Sequence, residues 1–244
     1  RLSDVSEKFD LMNINDTSAA VTLLSHPLSA FTVSYGGSMD VALEPIRSIP
    51  DGDTANTTKL TTSTHAGTHV DVPKHFFQEG GDLLSFPPAF WLFRSVFVIE
   101  HHVQSDGSVL GLDVLEEKLL TVPSESDMVL IRTEWERHRT GRLEADPLRY
   151  ARAGPGLTGE VGEWLREHTA VRAVGFDFIS LSSFMHRDIG RVAHRSFLEP
   201  AAPIVIVEDM RLSELDSAPK WVLVSPLLIP GGDGAPATVF AGVG

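Results

Sequence analysis

The stretch STHAGTHVDVPKHFF, residues 63–77, places His65, His69 and His75 within eleven residues of a chain that has ten histidines in all. Gly67, Asp71 and Pro73 lie between them. A helix carrying ligands at i and i+4 is disfavoured here by Gly67, by Pro73 and by the β-branched Thr68, Val70 and Val72. Read as a strand, His65, His69, Asp71 and His75 share parity and point to one side. A flat strand, however, separates positions 65 and 69 by roughly 13 Å at Cα. Two imidazoles that grip one ion at about 2.1 Å cannot span that distance. The chain therefore has to fold back between them, and Gly67 is the residue that tolerates such a bend. Past the bend, His69 and Asp71 lie about 6.6 Å apart at Cα on one face. Pro73 ends ladder pairing and turns the chain toward His75. The stretch thus reads as two histidines and a carboxylate on a metal, with a third histidine in reach of whatever the metal binds. Two imidazoles and a carboxylate with open positions leave room for water, as hydrolytic metal sites do.

Working outward, the 244 residues are 42% hydrophobic and 22% charged, an ordinary globular balance that can bury a real core. No long linker, repeat or low-complexity tract interrupts them, and one domain over residues 1–244 is expected. The formal net charge of −13 argues against nucleic acid or an anionic membrane as the main partner, since both need a basic face. With no cysteine, disulfides, thiolate nucleophiles and Cys-ligated zinc are excluded, so any metal rests on His, Asp, Glu, carbonyls or water. No apolar run approaches the roughly 20 residues that span a bilayer. The opening RLSDVSEKFD lacks the apolar stretch of a signal peptide, and the cytoplasm is the expected location.

Short β-branched or apolar runs predict strands over 32–35, 39–46, 59–65, 94–100, 127–133, 171–178, 203–209, 221–229 and 237–243. Helices are predicted over 112–120, with Asp113 as a candidate cap, over 157–169 and over 187–198. In the last, Ile189, Val192, Ala193, Ser196 and Phe197 form the apolar stripe, with His194 beside it. Interleaved strands and helices, with strands in the majority, predict a mixed α/β fold built on a large, partly barrel-like sheet flanked by helices. Trp91, Phe93 and Phe178 are expected in the core, with an aromatic pocket as their alternative role. His101, His102, His138 and His168 read as surface histidines; His186 and Arg187 are weaker candidates to face a substrate.

The run HAGTHVDVPKHFF resembles, residue for residue, the His-x-Gly-Thr-His-x-Asp-x-Pro-x-His signature of the cyclase-like metal hydrolases, which include bacterial kynurenine formamidases and isatin hydrolases. Fainter similarity extends through TLLSHPLS (22–29), GFDFISL (175–181), AHRSFL (193–198), PIVIVEDM (203–210) and GGDGAPATVFA (231–241). The resemblance implies a swivelling β/β/α-type fold, with His65, His69 and Asp71 as ligands of a first metal and His75 as catalytic acid/base. It implies His194 and Glu208 as ligands of a second metal, with Asp71 and Glu208 bridging. Those two positions lie 14 residues apart, about two more than the formamidase pattern, which implies an insertion near EPAAP (199–203). The isatin-hydrolase branch is similar in holding a single manganese ion. Zinc is the favoured metal and manganese the alternative, with one or two ions per chain.

The expected activity is hydrolysis of an aryl formamide or cyclic amide by metal-activated water, with His75 shuttling the proton. The alternative is ring closure or lactone opening on the same site; a binding protein that has lost catalysis comes third, against the complete set of four residues at 65–75. The expected partner is a small, aromatic substrate. By resemblance the chain forms a homodimer or larger homo-oligomer, with residues 1–46 contributing to the interface. The segment FTVSYGGSMDVALEPI (31–46) lacks the Tyr-Pro-Gly-Asp wording and nearby tryptophan associated with the formamidases.

Overall fold

A computed structural model describes residues 20–139 and 145–243. Its strands are β1 (Ala20–Leu23), β2 (Ala42–Arg47), β3 (Thr57–Thr61), β4 (His69–Asp71), β5 (Leu92–Phe93), β6 (Val96–Glu100), β7 (Val109–Leu110), β8 (Met128–Arg132), β9 (Gly156–Leu157), β10 (Ala173–Phe176), β11 (Val205–Glu208), β12 (Trp221–Pro226) and β13 (Gly234–Val243). The helices are α1 (Leu112–Leu119), α2 (Pro147–Ala153), α3 (Gly159–His168) and α4 (Arg187–Phe197). Nine strands form one sheet in the order β5-β12-β13-β4-β11-β10-β8-β6, with β1 added on β13. The path begins at β5 and ends at β6, neighbours in the chain, so the sheet curls into a nearly closed barrel. The mixed α/β, barrel-like expectation holds.

The sheet has two halves. β6, β8, β10 and β11 run parallel, as crossover connections through helices require. The other half is antiparallel, and β4 is the seam: it pairs antiparallel with β11 on one side and β13 on the other. Strand parity divides the core. Met128, Leu130, Val205, Val207 and Val70 point into the barrel with Val222, Val224 and Phe93. Val129, Ile131, Val174, Phe176 and Ile206 point outward against Leu115, Leu119, Val161, Leu165 and Phe197 of the helices. Burial on both faces explains why these strands read as unbroken apolar runs.

Some local expectations shift. Residues 32–35 are not a strand; Tyr35 opens a single 3-10 turn, Tyr35–Gly37. Gly111, not Asp113, is the cap position of α1, and Asp113 sits in its first turn. The unforeseen α2 follows Asp146, whose side chain accepts a hydrogen bond from the Arg149 amide, with Pro147 at the first helical position. On α4 the buried residues are Gly190, Ala193, His194 and Phe197, while Ile189 and Val192 are exposed. The helix is rotated so that His194 faces inward. Trp91, Phe93 and Phe178 are core residues, and His138 is buried against Trp135 rather than at the surface. The β2–β3 hairpin is exposed along its whole length. The opening decapeptide, and with it the first part of the 1–46 segment, lies outside the described residues.

Candidate metal centre

Gly67 adopts φ +65, the left-handed conformation a Cβ disfavours, and the chain reverses there into β4. The reversal brings the His65 and His69 rings to 5.2 Å between centroids. Beyond β4, Pro73–His75 form a 3-10 turn that returns His75 to 4.0 Å from the His65 ring. Glu208, the last residue of β11, is the register partner of His69. Since His69 and Asp71 share parity, all three side chains leave the same face of the sheet, the face covered by α4. His194 descends from α4, its ring stacked on Phe76 at 4.6 Å. The five residues expected as ligands and the expected acid/base are thus brought together by three separate segments of chain: the 65–75 stretch, α4 and β11.

Asp71 lies at the centre. Its Oδ1 accepts from His65 Nδ1 at 2.8 Å and lies 3.4 Å from His69 Nε2; its Oδ2 lies 3.6 Å from His194 Nε2 and 4.0 Å from His75 Nε2. Glu208 Oε2 is 3.3 Å from His69 Nε2, and its Oε1 is 3.6 Å from His194 Nε2. Oε1 also accepts from the Leu181 amide at 2.7 Å and the Ser180 hydroxyl at 3.2 Å. The outward ring nitrogens are all tied. His69 Nδ1 donates to the Gly67 carbonyl at 2.7 Å and His194 Nδ1 to the Gly190 carbonyl at 2.8 Å. His65 Nε2 and His75 Nδ1 both meet Asp233 Oδ2, at 2.8 and 3.1 Å. Each imidazole therefore turns one nitrogen outward to a fixed acceptor and the other toward Asp71 and Glu208, as metal-binding histidines do.

The donor set fits a divalent cation. His69 Nε2 is buried and makes no hydrogen bond of ordinary geometry, although Glu208 Oε2 and Asp71 Oδ1 lie only 3.3 and 3.4 Å away. An orphaned buried nitrogen costs free energy unless something else satisfies it. Two triplets of ligand atoms lie close enough to hold one ion each, His65–Asp71–His75 and His69–Asp71–Glu208, and Asp71 is common to both. Imidazole and carboxylate donors suit zinc or manganese, and no thiolate biases the choice.

Electrostatics among the protein groups points the same way. Burial alone would lower His194 and His65, but Asp71 with Glu208 in the first case, and Asp71 with Asp233 in the second, push their imidazoliums up to about 10 and about 9. Burial opposes the charge on Asp71 too, yet His194 and His65 hold it well below the usual carboxylate range. His75 goes the other way: burial, with cationic His65 and His194 nearby, keeps it below its ordinary 6.5 despite Asp71. Of the four histidines in the cluster, the one not pulled toward the cationic form is the one expected to exchange protons.

A cavity of about 390 Å³ opens over the cluster, and Tyr35, Phe76, Ile179, Arg187 and Arg191 also line it. Arg187 therefore does face the cavity, stacked on Phe184 at 3.8 Å, whereas His186 does not line it. A larger groove of about 970 Å³ runs along β1 and β13 and shares none of the cluster's residues. Asp233 is the residue that sequence reasoning passed over. Its only sequence signal is being the one acid in GGDGAP, where an aspartate reads as a turn residue.

The family model described as "Putative cyclase" matches residues 22–183, well over half the chain. The chain belongs to the cyclase family. Cyclase-like protein 2 of Oryza sativa subsp. japonica is 29% identical over 201 residues, covering 78% of this chain and 66% of that protein. The chain thus spans about two thirds of the length of that plant relative. The kynurenine formamidase of Bacillus cereus is 24% identical over 213 residues, covering 87% of this chain and 92% of that enzyme. Isatin hydrolase A from Labrenzia aggregata superposes with a TM-score of 0.76 at 22% identity, over 92% of this chain and 94% of that one, which shows a shared fold. Both of these relatives are hydrolases by name. Among the described residues no helix is long and apolar enough to cross a membrane.

Proposed function

We propose that this chain is a metal-dependent hydrolase that opens the C–N bond of an aryl formamide or cyclic amide. The observation that carries the reading is the orphaned, buried His69 Nε2 amid inward-turned imidazoles and two buried carboxylates. In this reading His65, His69 and Asp71 hold one divalent ion, zinc before manganese, and His194 and Glu208 with the shared Asp71 hold a second. A divalent ion in such a site supplies Lewis acidity, acidifying a water and polarising a carbonyl. The chain's own residues do the rest. His75, neutral near pH 7 and held at Nδ1, presents Nε2 to the cavity, where it takes a proton from the attacking water and returns it to the leaving nitrogen. Phe76 and Tyr35 offer aromatic surface to an aryl leaving group, and α4 closes the far side of the site from bulk water.

A second reading has its own support: His65, Asp71 and His75 alone form one of the two ligand triplets, which makes His75 a ligand instead of a proton carrier. We further propose a single domain and a homodimer in which the 1–46 segment takes part. Leu43 and Leu60 are register partners on the β2–β3 hairpin and are 47% and 48% exposed, and an isolated two-stranded hairpin is marginal in water.

The test is loss of N-formylkynurenine absorbance by purified protein, before and after EDTA and with zinc or manganese restored, with isatin run in parallel. EDTA-sensitive, metal-restored turnover of either supports the reading. Metal-loaded protein inactive on both refutes it. His75→Ala then separates the two roles: full metal content with turnover reduced by on the order of 10²–10⁴ marks a proton carrier, and loss of metal marks a ligand.

A further inference from the structure

We infer that Asp233 is a positioning residue that fixes the ring orientations of His65 and His75 together, through a single carboxylate oxygen. The inference rests on the proposed reading of the cluster as a metal centre and adds a residue from the opposite end of the chain. Asp233 Oδ2 lies 2.8 Å from His65 Nε2 and 3.1 Å from His75 Nδ1, between two rings whose centroids are 4.0 Å apart. A carboxylate at neutral pH only accepts hydrogen bonds, so both nitrogens that face it carry hydrogen. On His65 this leaves Nδ1 as the nitrogen that faces Asp71 and the metal position, where its hydrogen, otherwise donated to Asp71 Oδ1, is the one a metal displaces. On neutral His75 it leaves the Nε2 lone pair toward the cavity, where a proton has to be taken up. One oxygen thus serves both orientations.

The bland alternative is a half-exposed acid beside two histidines that contributes only a weak ion pair. Three anchors speak against it. The Thr64 hydroxyl donates to Asp233 Oδ1 at 3.1 Å, which sets the rotation of the carboxylate. The Asp233 carbonyl accepts from the Val72 amide at 3.2 Å, fastening the loop to the chain just before the Pro73–His75 turn. Residue 234 begins β13 and pairs with Asp71, so the loop cannot drift away from the cluster. His69 and His194 are oriented by backbone carbonyls, Gly67 and Gly190, which no substitution removes. The other two histidines depend on a side chain, which makes their orientation open to mutation.

The experiment uses the full chain as wild type, Asp233→Ala and Asp233→Glu. Zinc affinity is measured by competition with a chromogenic chelator, thermal unfolding is measured with and without zinc, and the imidazole ¹⁵N spectra of the zinc-free proteins are recorded. In wild type, His75 is expected as the Nδ1–H tautomer. Asp233→Ala is expected to lose this tautomer preference and to weaken zinc binding roughly 10–100-fold, with the zinc-free melting temperature nearly unchanged. Asp233→Glu is expected to recover part of the affinity. On whichever substrate wild type turns over, kcat falls in Asp233→Ala with KM little changed. Unchanged affinity and tautomers in Asp233→Ala overturn the inference, and so does a zinc-free protein destabilised as much as the loaded one. If wild type takes up no zinc, the metal-centre reading fails by itself. The spectra then decide the tautomer claim alone, and mixed His75 tautomers in wild type overturn it.

Discussion

Replacing Gly190 by alanine should disarm the candidate centre without unfolding the protein. Gly190 lies in the first turn of α4, pressed against Ser182. A Cβ built there falls 1.9 Å from Ser182 Oγ, 2.3 Å from its Cβ and 2.6 Å from its Cα. The hydroxyl can rotate away, but the Cα cannot. Restoring an ordinary contact of 3.4 Å to the Cα requires the helix to withdraw by about 0.8 Å, and the Cβ contact asks for about 1.1 Å. His194, one turn further along, is fixed to this helix and receives its Nδ1 acceptor from Gly190 itself. Ligand distances tolerate only about 0.2 Å, so a displacement near 1 Å removes this imidazole from the cluster. For stability, overpacking costs about 1–3 kcal/mol, and alanine regains about 1 kcal/mol of helix propensity, leaving a net loss of about 0–2 kcal/mol. The affinity loss should be larger in proportion, at least tenfold, since displacing a supporting group alone costs 10–100-fold. Urea unfolding of metal-free protein and chelator competition for zinc measure the two effects separately. A Gly190→Ala protein that binds two zinc ions with wild-type affinity would refute the reasoning.

Other outcomes follow from groups around the centre. Asp209 is buried in a bidentate pair with Arg139, both bonds 2.9 Å, and accepts from Tyr150 Oη at 2.5 Å. Arg139→Ala strands that carboxylate and should cost about 3–5 kcal/mol in urea unfolding; a loss below 1 kcal/mol would show that the pair is not desolvated. His65 and His194, raised to about 9 and about 10 without metal, give the metal-free protein stability that is complete below pH 6.5 and is lost as pH rises through those values. Metal uptake displaces the same protons, so zinc affinity should rise from pH 6 to pH 9 while metal-free stability falls. Calorimetry in buffers of differing ionisation heat counts the protons released; zero release would contradict the raised values.

The sheet was legible because its strands are buried on both faces and appear as apolar runs, and the site because several of its candidate residues are close enough in sequence to form a local pattern. His65, His69, Asp71 and His75 met that condition, and Gly67 marked the bend between them. His194 and Glu208 carried no such local signal. A histidine beside an apolar stripe and an acid at a strand end acquire meaning only when the tertiary structure turns them inward, and resemblance alone singled them out. The rotation of α4 was misread because Ile189 and Val192 are apolar yet exposed, while Gly190, with no side chain to mark it, sits on the buried face. Asp233 was invisible for a related reason: its partners lie 158 and 168 residues away.

The seam position of β4 governs the order in which the centre can be assembled. His69, Asp71 and Glu208 stand on a floor whose backbone is paired on both sides, and none of these side chains is more than 4% exposed. His65 and His75 rise from a loop and a single turn, and their side chains are 23% and 27% exposed. In the proposed centre, an ion arriving from solvent passes His65 and His75 at the rim before it reaches the buried donors of the floor. Departure reverses the order, and the donors held by backbone paired on both sides let go last. Exchange with a chelator should therefore be biphasic, fast at the rim and slow at the floor.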